Sequence, residues 1–182
     1  NVWAIEFDIR IDATFTTGEY LISSSSGDVS TQITFQNGGN TLRLRAVGTA
    51  LTNYDFNVTT IDLSIRHKFK IESDGSDLSL IVDGIPLETK AGDAIQPPNA
   101  LVGLFSTFRD RPDANLELYG ISFSGGFASQ RNYNPSSSSG TGSVLPDALN
   151  ASNDGTLVNF DPLTAWVEYF TAIDPTFWQK KV

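Results

Sequence analysis

The chain opens on a strict alternation. In IEFDIRID, residues 5–12, Ile5, Phe7, Ile9 and Ile11 are apolar while Glu6, Asp8, Arg10 and Asp12 are charged. A half-buried β-strand has this period of two and a helix does not. Short runs of the same kind, separated by turn formers, continue to about residue 126. EYLISS (19–24) and TQITFQ (31–36) lead into Asn37-Gly38-Gly39-Asn40, whose glycines suit a hairpin that needs positive φ. TLRLRAV (41–47) returns with Leu42 and Leu44 on one face and Arg43 and Arg45 on the other. Phe69 and Ile71 lead into a turn over residues 73–77; Leu78, Leu80 and Val82 lead out of it to a further turn at Asp83-Gly84. ALVGLFSTF (100–108) and NLELYGISFSG (115–125) predict two more strands. In the second, the apolar phase shifts from Leu116 and Leu118 to Ile121 and Phe123, which predicts a bulge at Gly120.

Almost no helical period is present. Many short strands punctuated by turns predict an all-β fold, an antiparallel two-sheet jelly-roll sandwich over residues 1–126. From Phe127 the pattern stops. FASQRNYNPSSSSGTGS (127–143) is rich in Ser, Gly and Asn and reads as a connection, so residues 127–182 are expected to form that connection and an extended C-terminal arm.

Composition narrows the function classes. In 182 residues, 40% hydrophobic, there is room for one filled core plus an appendage, and no apolar run reaches the ~18 residues of a membrane helix. A soluble domain with no membrane partner is expected. The first residues already read as a strand, and the chain contains no methionine, so a processed product or a fragment is expected. The lack of cysteine excludes disulfides and thiolate metal sites, and with His67 as the single histidine a zinc centre is not expected. Any metal would be a hard ion such as calcium held by oxygen; no metal ligand and no cofactor is assigned. A formal charge of −9 with scattered Lys and Arg argues against nucleic acid and favours neutral or cationic partners.

Two stretches carry resemblances. The Trp3 strand with its acidic-apolar alternation, HKFKIESDGSDLSLIVDGIPL (67–87), ALVGLFS and LELYGISFSG together resemble the concanavalin A-like lectin/glucanase jelly roll in its laminin-G-like form, over residues 1–126. This resemblance implies the fold, and a structural role for His67. GTGSVLPDALNASNDGTLVNFDPLTAWVEYF (140–170) resembles a segment found beside such jelly rolls in virion proteins of tailed phages and in some bacterial surface proteins. Gly140 to Ser143, Leu145 to Asp147, Asn153 to Phe160 and Trp166 carry the match. That resemblance implies a non-enzymatic virion structural protein, capsid-decorating or tail-associated, located on the virion or outside the cell. Its partners would be other virion subunits or further copies of itself. Leu157, Phe160, Trp166, Phe177 and Trp178 are the candidate assembly contacts, because so apolar a segment cannot bury itself alone and must dock on the sandwich or on a neighbour.

Chemistry has few places to reside. Jelly-roll glycosidases carry acids in a pattern close to Glu-x-Asp-x-x-Glu, and here Glu6 and Asp8 are followed by Asp12, one residue too far and with a shorter side chain. The strand is therefore read as a wet face opposite a core face, and no catalytic residue is assigned. AIEFD also resembles the metal strand of legume lectins, but the loop ATFTTGEYLIS lacks the Asp, Asn and His ligands that would follow. A surface glycan needs fixed polar groups and an aromatic face to stack on. Gln32, Gln36, Arg43 and Arg45 are expected to point away from the core with Tyr54 nearby, and Phe108 and Arg109 to sit on a loop tip. Three functions stay open: a virion structural protein with an adhesive role, a lectin-like module of a bacterial surface protein, and a polysaccharide hydrolase or lyase built on Glu6 and Asp8.

Overall fold

A computed structural model describes residues 2–11, 19–24, 32–47, 51–91, 101–104, 116–126, 131–133, 144–145, 147–149, 155–156, 167–171 and 174–181. They form strands and turns, with no helix among them. β1 (Trp3–Ile11) is followed by β2 (Glu19–Ser24), β3 (Gln32–Gln36), β4 (Thr41–Val47) and β5 (Leu51–Asn57). Then come β6 (His67–Ser73), β7 (Asp77–Val82), β8 (Ile85–Ala91), β9 (Leu101–Leu104), β10 (Leu116–Gly125) and β11 (Arg131–Tyr133). All pair antiparallel in two sheets. Sheet A runs β11-β10-β1-β6-β7-β8 and sheet B runs β5-β4-β3-β2-β9. The chain crosses from A to B and back twice, which makes the fold a jelly-roll sandwich. Two small pairs follow, β12 (Val144–Leu145) with β13 (Gly155–Thr156) and β14 (Val167–Thr171) with β15 (Asp174–Lys181).

Alternation sets the core. Trp3, Ile5, Phe7, Ile9 and Ile11 of β1 are buried with Phe69 and Ile71, Leu78, Leu80 and Val82, and Ile121 and Phe123, all from sheet A. Sheet B contributes Ile33, Phe35, Leu42, Leu44, Tyr54 and Phe56, with Val58 just beyond β5. The two sheets meet at Phe69, whose ring stacks on Phe7 at 5.3 Å and takes the edge of Phe35 at 5.8 Å. Such pairs add to the area they bury, which favours one packing arrangement over its neighbours.

Turns appear where the sequence places them. Asn37, Gly38 and Gly39 have φ of 55°, 67° and 91°, and Gln36 pairs with Thr41. Asp83 and Gly84, at 52° and 81°, close a two-residue hairpin of the primed type between Val82 and Ile85. The bulge also appears: Asp8 faces Gly120 and Ile9 faces Leu118, leaving Tyr119 as the extra residue. Besides β8 and the short pairs β12–β13 and β14–β15, two strands of the sandwich were not expected. β5 lies beyond the 31–47 hairpin, and β11 pairs with β10 inside the stretch read as connection. At the end of sheet A, Trp3 pairs with Gly125 and the Gly126 amide donates to the Val2 carbonyl at 2.8 Å.

Candidate functional site

The outer face of sheet A carries the acid pair. Glu6 Oε2 stands 2.7 Å from Lys68 Nζ. Asp8 is gripped by both arms of Arg66, Nε at 2.8 Å and Nη2 at 2.6 Å, and the guanidinium lies 4.3 Å above the Tyr119 ring. The Asp8 clamp drives the Arg66 pKa further up. Arg10 reaches Glu117 at 2.8 Å, and the Tyr119 hydroxyl donates to the other oxygen of Glu117 at 2.7 Å. Glu6 and Asp8 thus each face a basic side chain of the neighbouring segment.

His67 is built into a clamp. Its Nδ1 lies 2.6 Å from Asp83 Oδ2 and its Nε2 lies 3.0 Å from the Asp62 carbonyl, while the ring meets Phe69 edge-on. Asp83 Oδ1 accepts the Lys68 amide at 2.8 Å. Burial pushes the Asp83 carboxyl up, but the Lys68 amide and His67 outweigh it and hold the group below its ordinary range. These bonds tie the turn after β5 to the β7–β8 hairpin. Both ring nitrogens are engaged in holding the fold, so the arrangement is structural. Among the described residues, no group of three or more His, Asp or Glu stands close enough together to hold a metal ion.

The outer face of sheet B gathers the polar candidates. Its register aligns three cross-strand rows: Gln36–Thr41–Asn57, Thr34–Arg43–Asp55 and Gln32–Arg45–Asn53. The first two rows satisfy themselves. Gln36 donates to Thr34 Oγ1 at 2.9 Å, Asn37 donates to Thr41 Oγ1 at 3.2 Å, and Asn57 Oδ1 accepts from Thr59. Arg43 and Asp55 form a bidentate pair at 2.6 and 2.7 Å. That bond holds the Asp55 carboxyl low, with burial opposing it and the Arg43 and Lys90 charges assisting. The third row differs. Gln32, Arg45 and Asn53 make no side-chain hydrogen bond or ion pair among the described residues, so two carboxamides and a guanidinium stand open in one line. Continuing across sheet B, Ser23 faces Gln32 and Gly103 faces Ser23, while Tyr20 faces Thr34 in the neighbouring row.

Gln32, Gln36, Arg43 and Arg45 are thus brought onto one surface, as their alternation predicts. Tyr54 is not among them. It faces inward on β5, is 8% exposed and belongs to the core, so its ring is closed to a stacking sugar. Asn53 and Asp55, its neighbours in sequence, occupy the outer face in its place. Phe108, Arg109, Leu157, Phe160 and Trp166 lie outside the described residues, and Phe177 and Trp178 fall on β15, where the backbone alone is described.

No protein-family model and no curated protein matches the chain. Among solved structures it is similar to domain 4 of AbnA, a GH43 extracellular arabinanase from Geobacillus stearothermophilus, in complex with arabinotriose. The TM-score is 0.50 at 14% identity over 69% of this chain. The chain spans 61% of the length of that structure. The galectin LEC-6 of Caenorhabditis elegans aligns at a TM-score of 0.44, with 10% identity over 69% of this chain and 84% of the galectin. The binding domain of Paraclostridial Mosquitocidal Protein 1 aligns at 0.42, with 15% identity over 72% of this chain and 33% of that one.

Proposed function

We propose that the chain is a non-enzymatic glycan-binding module that holds its ligand on the outer face of sheet B. The open row Gln32–Arg45–Asn53 is the observation that carries this reading. Carbohydrate hydroxyls need donors and acceptors already fixed in place and not committed to each other, and a β-sheet face provides them at regular spacing. The likeness in fold to an arabinanase domain solved with arabinotriose supports the same reading. The ion-paired state of Glu6 and Asp8 supports binding without hydrolysis. Such a module would work outside the cell or on a particle surface. The test is a glycan array probed with the whole chain, with calcium and with a chelator, beside a chain carrying both Gln32→Ala and Asn53→Ala. Binding that survives chelation and falls at least tenfold in the double variant is expected; an array that stays blank for the unmutated chain overturns the reading.

A virion role is the second reading, and the segment from Gly140 to Trp166 favours it. Within that segment β12 pairs with β13, and Asp147 is 5% exposed and accepts the Leu149 amide at 3.0 Å. The described residues of the motif therefore hold local structure. In this reading the chain is a decorating or tail-associated subunit that adheres through sheet B. Its presence in purified particles, measured by mass spectrometry, is expected; a chain found only outside particles overturns it.

A further inference from the structure

Among the described side chains, charge pairing on the sandwich leaves one conspicuous exception. Arg10, Arg43, Arg66, Lys68, Lys70 and Lys90 each stand 2.5–2.8 Å from a carboxylate oxygen. Arg45 has no carboxylate partner among the described residues, although the chain carries a formal charge of −9 and acids are plentiful. A guanidinium presents a planar fork of donors that fits an oxyanion in two-toothed fashion. Arg45 is half-buried between Gln32 on β3 and Asn53 on β5, so two carboxamides flank that fork along one row. The carboxylate nearest in register, Asp55, is already neutralised by both arms of Arg43 and does not repel an incoming anion. Gly103 adds no side-chain bulk to the far end of the row. Five strands at a spacing of about 4.8 Å give a track of about 19 Å.

We infer that Arg45 is a specificity residue that selects an acidic sugar, one bearing a carboxylate or a sulfate ester, on the sheet B face. The inference rests on the glycan-binding reading and adds the class of ligand. It also departs from the net charge, which on its own favours neutral or cationic partners: the long-range field is unfavourable, but it is screened within about 8 Å at physiological salt, while the local fork is not. The carboxamides of Gln32 and Asn53 would serve the neighbouring hydroxyls and fix the sugar's orientation.

The experiment measures binding of the whole chain to polygalacturonate, to a sulfated galactan and to the same galactan after desulfation, at low and physiological salt. At least one charged polymer is expected to bind ten- to a hundred-fold more tightly than the desulfated one, as about the value of a hydrogen bond to a charged group. Whichever polymer shows the gain identifies the anion as carboxylate or sulfate. Arg45→Gln should remove the preference while leaving binding to the neutral polymer, and Arg45→Lys should restore part of it. Lys70→Gln makes the same change of net charge on the opposite sheet and should change nothing. Equal binding of charged and neutral polymers, or an Arg45→Gln chain that keeps the preference, overturns the inference and leaves the glycan reading standing. No binding to any polymer overturns both.

Discussion

Gly125 shows how little room a single position can leave. Its φ is 82°, and a Cβ added there would lie 2.4 Å from the Val2 carbonyl oxygen and 2.7 Å from the Trp3 Cα. Backbone cannot yield as a flexible side chain can, so Gly125→Ala should lower stability by about 1–3 kcal/mol, read as a fall in the thermal midpoint. Asp83 carries three duties, accepting from the Lys68 amide, contacting His67 and holding a φ of 52°. Acid should expose them. Asp55 and Asp83 have folded pKa values below their ordinary 3.8, and Glu88 lies below 4.5 because Lys90 and the Asn57 amide outweigh its burial. Groups lowered on folding contribute stability that is complete above their unfolded values and is lost as pH falls through the folded ones. The thermal midpoint is therefore expected to be insensitive to these groups from pH 7 to about 5 and to drop below about 4. Asp83→Ala should flatten part of that drop. A midpoint that rises on acidification would contradict the assignment.

At the scale of elements, the two sheets are joined through β6, and Phe69 is the joint. Phe69→Ala removes its stack on Phe7 and its edge contact with Phe35 together, and should cost about 3–5 kcal/mol in denaturant titrations. β1, the hairpins at 37–40 and 83–84 and the bulge beside Gly120 are legible in the sequence because each is a local matter of alternation or of positive φ. β5 is harder to read, because its inward residues Tyr54 and Phe56 are only two and are set among Thr52, Asn53, Asp55 and Asn57. β11 is three residues long and is defined by backbone pairing with β10, which leaves no side-chain pattern. The site divides in the same way. That Arg43 and Arg45 point outward follows from Leu42 and Leu44 pointing inward. That Arg43 meets Asp55 while Arg45 lies opposite Asn53 depends on the β4–β5 register, which the alternation cannot fix.

Across the whole molecule, the buried core of the described residues runs from Trp3 to Phe123, and among the described residues beyond it sheet A adds the edge strand β11. A chain ending at Gly126 should therefore keep a cooperative unfolding transition by circular dichroism. One ending at Tyr133, which retains the β10–β11 pairing, should melt higher and aggregate less, because an uncovered strand edge invites pairing with other chains. Loss of the transition on removing residues 127–182 would make the C-terminal segment part of the folding unit. The bond from Gly126 to Val2 has a consequence of another kind. Strands β1 and β10 run side by side in opposite directions, so in a unit that stops at Gly126 the polypeptide enters and leaves at one point. A unit with that geometry can be spliced into a surface loop of a larger host protein without forcing the host's own chain apart, or re-cut into a circular permutant whose new ends lie at the exposed Asn37-Gly38 turn. It can hang from such a host like a bead on a single stitch.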